Sequence, residues 1–144
     1  MNPQRLKPIQ RLAQDKEDAQ ARELAERERT LQTQEQRLAD LRRFASEYAT
    51  LPPGASTSAA LLSNRRAFVE KLDNAVSQQQ RHVENARGNC DLERARLLLA
   101  SREVRVLDKL AASYNAQERK ESERRAQREL DDHAARSFRR KEAE

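Results

Sequence analysis

The stretch VEKLDNA-VSQQQRH-VENARGN-CDLERAR-LLLASRE-VRVLDKL-AASY, residues 69–114, decides the fold. Read in sevens, its repeats open on Val69, Val76, Val83, Cys90, Leu97, Val104 and Ala111. Three places after each comes Leu72, Gln79, Ala86, Glu93, Ala100, Leu107 or Tyr114. Only a long helix sets all of these on one stripe, as the a and d positions of a coiled coil. A helix with one narrow apolar stripe is unstable alone in water, so the pattern also demands a helical partner.

Working back from this stretch, a second heptad series appears at Leu24, Leu31, Leu38 and Ala45, with Leu41 and Tyr48 three places after the last two. Between the two series the charge stops. Between Glu47 and Arg65 the only ionisable side chain is the phenol of Tyr48. The same interval holds Leu51-Pro-Pro-Gly-Ala-Ser-Thr-Ser58, with Pro52, Pro53 and Gly54 adjacent. Such steps end a helix and turn the chain, and Thr57 or Ser58 is suited to cap the second helix. The expectation is a single domain over 1–144, all-α, folded as a two-helix antiparallel coiled-coil hairpin. The first helix covers about 3–49, the turn 50–58 and the second about 59–136, ahead of a frayed C-terminal tail. Asn2-Pro3 reads as cap and first turn. Pro8 either kinks the first helix or starts it, after which Ile9, Leu12 and Ala13 share a face.

If Ala49 and Ala59 flank the turn, facing residues sum to about 109 or 110. Leu38 then meets Leu72, Leu24 meets Ala86, Ala13 meets Leu97 and Leu6 meets Val104. Other levels match poorly: Leu31 meets Gln79, Arg27 meets Val83 and Glu17 meets Glu93. A seam this thin, with Gly88 costing about 1 kcal/mol against Ala, implies modest stability. The second helix, at 1.5 Å per residue, outruns the first by about 40–50 Å. Its Leu107, Ala111 and Tyr114, and further on Leu130, Ala134 and Phe138, are left as stripes for a partner or as a frayed end.

Composition narrows the function classes. Charged residues are 37% of the chain and aromatics 3%, with no Trp, which is unlike a globular enzyme core. The net charge of +5 is interleaved and not clustered. This fits a solvated helix face better than a nucleic-acid surface. Met1 to Gln10 has no apolar leader core, and no apolar run approaches the ~20 residues of a membrane span. The expected location is cytoplasmic.

Chemistry-bearing motifs are missing. Two glycines 34 residues apart build no phosphate loop. His82, His133 and the lone Cys90 have no metal-ligand spacing, and Asp131-Asp132-His133 reads as solvated charge. A hairpin two helices thick has no pocket for catalysis. The reading is a binding protein, not an enzyme, with no cofactor and no metal.

Two clusters go beyond a generic coiled coil. One holds Leu41, Phe44 and Tyr48; the other holds Phe68, Leu72, Ala75 and Gln79. The surrounding segments are Leu38-Ala-Asp-Leu-Arg-Arg-Phe-Ala-Ser-Glu-Tyr48 and Asn64-Arg-Arg-Ala-Phe-Val-Glu-Lys-Leu-Asp-Asn-Ala-Val-Ser-Gln-Gln-Gln80. With Arg11-Leu-Ala-Gln-Asp-Lys-Glu17, they resemble the flagellar export protein FliJ family over nearly the whole chain. That resemblance implies a cytoplasmic antiparallel coiled coil of the flagellar type III export apparatus, associated peripherally with the basal body at the inner membrane. It implies a stalk-like partner of the hexameric export ATPase FliI, of the export gate protein FlhA and of flagellar export chaperones. It assigns gate binding to Leu41, Phe44, Tyr48, Phe68, Leu72, Ala75 and Gln79. The end carrying the termini engages the ATPase ring, and Arg119, Arg124, Arg125 and Arg128 are the candidates there.

The seam offers a competing role for some of these residues. Leu41 and Leu72 fall on it and so are also core candidates, whereas Phe44 and Tyr48 are not needed to close the level of Leu38. Two other readings of the chain remain open: a generic coiled-coil scaffold or homodimer without an ATPase partner, and a basic nucleic-acid binder.

Overall fold

The computed structural model describes residues 2–50 and 58–143. Two long helices account for nearly all of them: α1 (Leu6–Thr50) and α2 (Ala59–Glu142), with no strand among the described residues. The expected turn falls at 51–57, outside the described residues, as does Thr57.

Local sequence explains the helix starts. Asn2 caps a single 3-10 turn, Pro3–Arg5, its side-chain oxygen accepting from the Gln4 amide at 3.0 Å. Pro8 lies inside the first turn of α1, where the missing N–H has no intrahelical partner to lose, so the helix runs through it. Ser58 caps α2. Its hydroxyl accepts from the Leu61 amide at 3.2 Å, and its carbonyl accepts from the Leu62 amide at 3.1 Å. The second helix continues past Arg136 to Glu142. Arg139, Arg140 and Lys141 sit in its last turn, where positive charge meets the negative end of the helix dipole.

The chain divides into two compact units, one of Met1–Glu17 with Ala100–Glu144, the other of Asp18–Leu99. In the first, Gln10 Nε2 donates to Asp108 at 3.1 Å and Lys16 Nζ pairs with Glu103 at 3.4 Å. In the second, Glu28 pairs with Arg94 at 3.6 Å, Glu35 with Arg87 at 3.2 Å, and Tyr48 packs on Phe68. In each unit the α2 number falls as the α1 number rises, so the helices are antiparallel.

All of the a and d positions read from 69–114 are withdrawn from solvent, and only Ala75 and Ser101 join them in that stretch. Leu72, Val83, Ala86, Cys90 and Ala100 are buried, and so are Gln79 and Glu93. On α1 the withdrawn face steps by three and four through Leu6, Gln10, Ala13, Glu17, Gln20, Leu24, Arg27, Leu31, Gln34, Leu38, Leu41, Ala45 and Tyr48. Many of these residues are polar. Ile9 and Leu12, expected on the inner face with Ala13, point to solvent. The 3.5-residue period that keeps α1 on its partner runs through Leu6, Gln10 and Ala13 instead.

The register also differs from expectation. Gln79 bonds to Gln34, and Glu35 reaches Arg87. Facing residues sum to about 117, one heptad beyond the 109–110 that a tight turn at Ala49 and Ala59 implies. The reason lies at the start of α2. Residues 58–64 are all exposed, so α2 begins with more than a turn that takes no part in the seam. A seven-residue slip returns every seam residue to a seam position, so the apolar stripe alone does not reveal it. Past Tyr114 every described side chain is exposed, including Leu130, Ala134 and Phe138.

Candidate protein-interaction surface

Leu38 is buried on the seam, Leu41 and Tyr48 are half-buried at its margin, and Phe44 lies between them one turn away. The i, i+3 and i+4 steps put these side chains on adjoining strips of α1. Phe44 remains 50% exposed, although nothing polar in a phenylalanine favours water. It lines an open cleft of about 550 Å³ with Leu41, Gln79 and the charged Arg37, Asp40, Arg43 and Glu47. Asp40 accepts from Gln36 at 3.1 Å and Arg43 at 3.4 Å, which orders the charged rim.

Tyr48 and Phe68 meet edge to face with ring centroids 4.6 Å apart. The Arg65 guanidinium lies 5.8 Å from the Tyr48 ring centre and donates to the Tyr48 carbonyl at 3.3 Å. That carbonyl belongs to the last turn of α1, where such groups lack intrahelical donors. Arg65 therefore satisfies a helix end and stacks on an aromatic face at once. Sequence reading missed Arg65. The signal available was a charged residue one turn before Phe68, on the extension of the α2 seam.

The residues singled out from sequence therefore separate by environment. Leu41, Phe44, Tyr48 and Phe68 present apolar surface to solvent in differing degree, with Phe68 38% exposed. Leu72 is buried and Ala75 half-buried. Gln79 is only 9% exposed, and its amide donates to the Gln34 carbonyl at 3.0 Å and side-chain oxygen at 2.7 Å. Arg119, Arg124, Arg125 and Arg128 stand in the exposed part of α2, three of them lining one shallow hollow with Glu121.

Among the described residues no group of three or more His, Cys, Asp or Glu side chains is placed to hold a metal ion. Cys90 is a free, fully buried thiol, while His82 and His133 are exposed. No described helix is long and apolar enough to cross a membrane.

Two paired helices of unequal length, with an apolar cluster left facing water, define an α-helical coiled-coil protein. The family can be stated more closely. A family model described as the flagellar FliJ protein matches residues 1–143, and the chain belongs to that family. It is thereby a component connected with flagellar protein export. Neither a curated protein nor a solved structure gives a match to the chain.

Proposed function

We propose that this chain is a non-enzymatic, stalk-like adaptor of the flagellar type III export apparatus that docks the export gate protein FlhA through the Leu41–Phe44 surface. The observation that carries this reading is the half-exposed Phe44 beside half-buried Leu41, at the mouth of a cleft rimmed by charge of both signs. An aromatic anchor with a polar rim is the usual anatomy of a binding hot spot. Phe68 extends the surface, while Tyr48, Leu72 and Ala75 back it from the seam. Gln79, its amide occupied by Gln34, contributes as the floor of the cleft.

At the other end, Arg119, Arg124, Arg125 and Arg128 engage the hexameric export ATPase FliI. Interleaved charge suits a stalk that must turn or slide against a ring without sticking. Flagellar export chaperones are handled by the same protein, which works in the cytoplasm at the basal body of the inner membrane.

The test is Phe44→Ala, with pull-down on the cytoplasmic domain of FlhA and circular dichroism on the same sample. Lost capture with unchanged helicity supports docking. Full capture, or capture lost only together with helicity, refutes it. Changing Arg124, Arg125 and Arg128 to Ala tests the ring contact, which must weaken co-sedimentation with FliI and leave FlhA capture intact.

A further inference from the structure

The end of α1 lacks a cation of its own. No basic residue stands in its last turn, where α2 carries Arg139, Arg140 and Lys141. Carbonyls at a helix end have no intrahelical donor and gather the negative end of the dipole. One of them, on Glu47, accepts from the Thr50 hydroxyl at 3.0 Å. The next, on Tyr48, is met from the other helix by the Arg65 guanidinium. Arg65 thus caps α1 in trans, and it is the first cation to follow Arg43 in the chain.

The residue that Arg65 caps is also the residue whose ring it covers. One guanidinium therefore fixes both the backbone and the side chain of Tyr48. One turn further along α2, Phe68 packs its ring on the same Tyr48. Arg65 and Phe68 grip Tyr48 from adjoining turns, and Phe68 still keeps part of its ring in water. Without Arg65 the Tyr48 carbonyl loses its donor and the Tyr48 ring loses its cation, so both are free to reorient.

We propose that Arg65 is a positioning residue of the docking surface: it holds the Tyr48–Phe68 pair, one ring from each helix, in the arrangement that the protein partner reads. The inference rests on the reading of that surface as the FlhA site. Lysine is not an equal substitute at this position. It reaches the carbonyl with a cation but has no planar face to lay on the ring.

Arg65→Gln and Arg65→Lys are compared with the parent for affinity to the cytoplasmic domain of FlhA, with helicity checked in each. Tyr114→Phe in every sample leaves Tyr48 as the only tyrosine of a chain without tryptophan. Near-ultraviolet dichroism then reports the order of that one ring. Arg65→Gln must weaken binding about fivefold or more and flatten the tyrosine signal, and Arg65→Lys must fall between it and the parent. Gly88→Ala separates positioning from overall stability, because it stabilises α2 many turns away. Added to Arg65→Gln, it must raise the melting temperature without restoring binding. Full binding by Arg65→Gln overturns the proposal, and so does an unchanged tyrosine signal or binding recovered through Gly88→Ala. Phe44→Ala is measured beside these variants. Full capture by Phe44→Ala sinks the Phe44 docking reading, while the Arg65 proposal stands or falls on its own binding and tyrosine measurements.

Discussion

Glu93 is the residue whose replacement ought to make this protein more stable. It occupies a d position of α2, and its side chain is only 4% exposed. One carboxylate oxygen accepts from Arg96 at 2.7 Å, while the other has no hydrogen-bond partner among the described residues. A buried oxygen left unmatched costs about 1–3 kcal/mol. Replacing Glu93 by Leu removes that acceptor and adds apolar burial worth about 1.5–3 kcal/mol for a full side chain, part of which the glutamate methylenes already provide. The loss is small, because Arg96 is 53% exposed and stays solvated when its partner goes. An ion pair with one exposed member is worth at most about 1 kcal/mol. The net expectation for Glu93→Leu is a gain of about 1–3 kcal/mol, with the melting temperature rising about 2–4 °C for each kcal/mol. Glu93→Gln, which removes the charge but still buries a polar amide, should gain less. Helicity at 222 nm followed through heat and urea measures both. If Glu93→Leu melts below the parent with an unchanged urea slope, the carboxylate has a favourable partner that this account lacks.

Three further substitutions test local geometry. Gly88→Ala should stabilise by about 1 kcal/mol, since a Cβ there meets nothing within 4 Å and the glycine is not in the left-handed region; thermal melting checks it. Ser58→Ala removes the hydroxyl that accepts from Leu61 and should cost about 1 kcal/mol, read as faster amide exchange at Leu61 and a lower melting point. Phe44→Ala should leave stability within about 0.5 kcal/mol because the ring is half in water. FlhA capture by the same variant should fall at least tenfold.

The helices were legible because their signals are local and repeated. The valines at 69, 76 and 83 announce the α2 stripe, Asn2 and Ser58 are standard caps, and the Pro-Pro-Gly run separates the two series. The register was not legible. Sequence shows which residues line a seam, but a slip of seven leaves that set unchanged. The α1 face was only half legible, because Gln10, Gln20 and Gln34 look like solvent residues until a partner covers them. The candidate surface divides the same way. Phe44 stands off the seam by spacing alone, which is why its exposure could be foreseen. Gln79 has the composition of a contact residue, but its d position on the seam buries it against Gln34. Arg65 escaped notice because capping the far end of another helix leaves no mark on the sequence around it.

The central claim is that α1 and α2 of one molecule lie side by side in opposite directions. Spin labels at Glu28→Cys and Arg94→Cys, with Cys90→Ala and an excess of unlabelled chain, measure this directly. Packed helix axes lie about 8–10 Å apart, so a dominant label-to-label distance below about 20 Å is expected, unaltered by dilution. A separation of several tens of ångströms, or a short distance that vanishes as unlabelled chain is added, would contradict it.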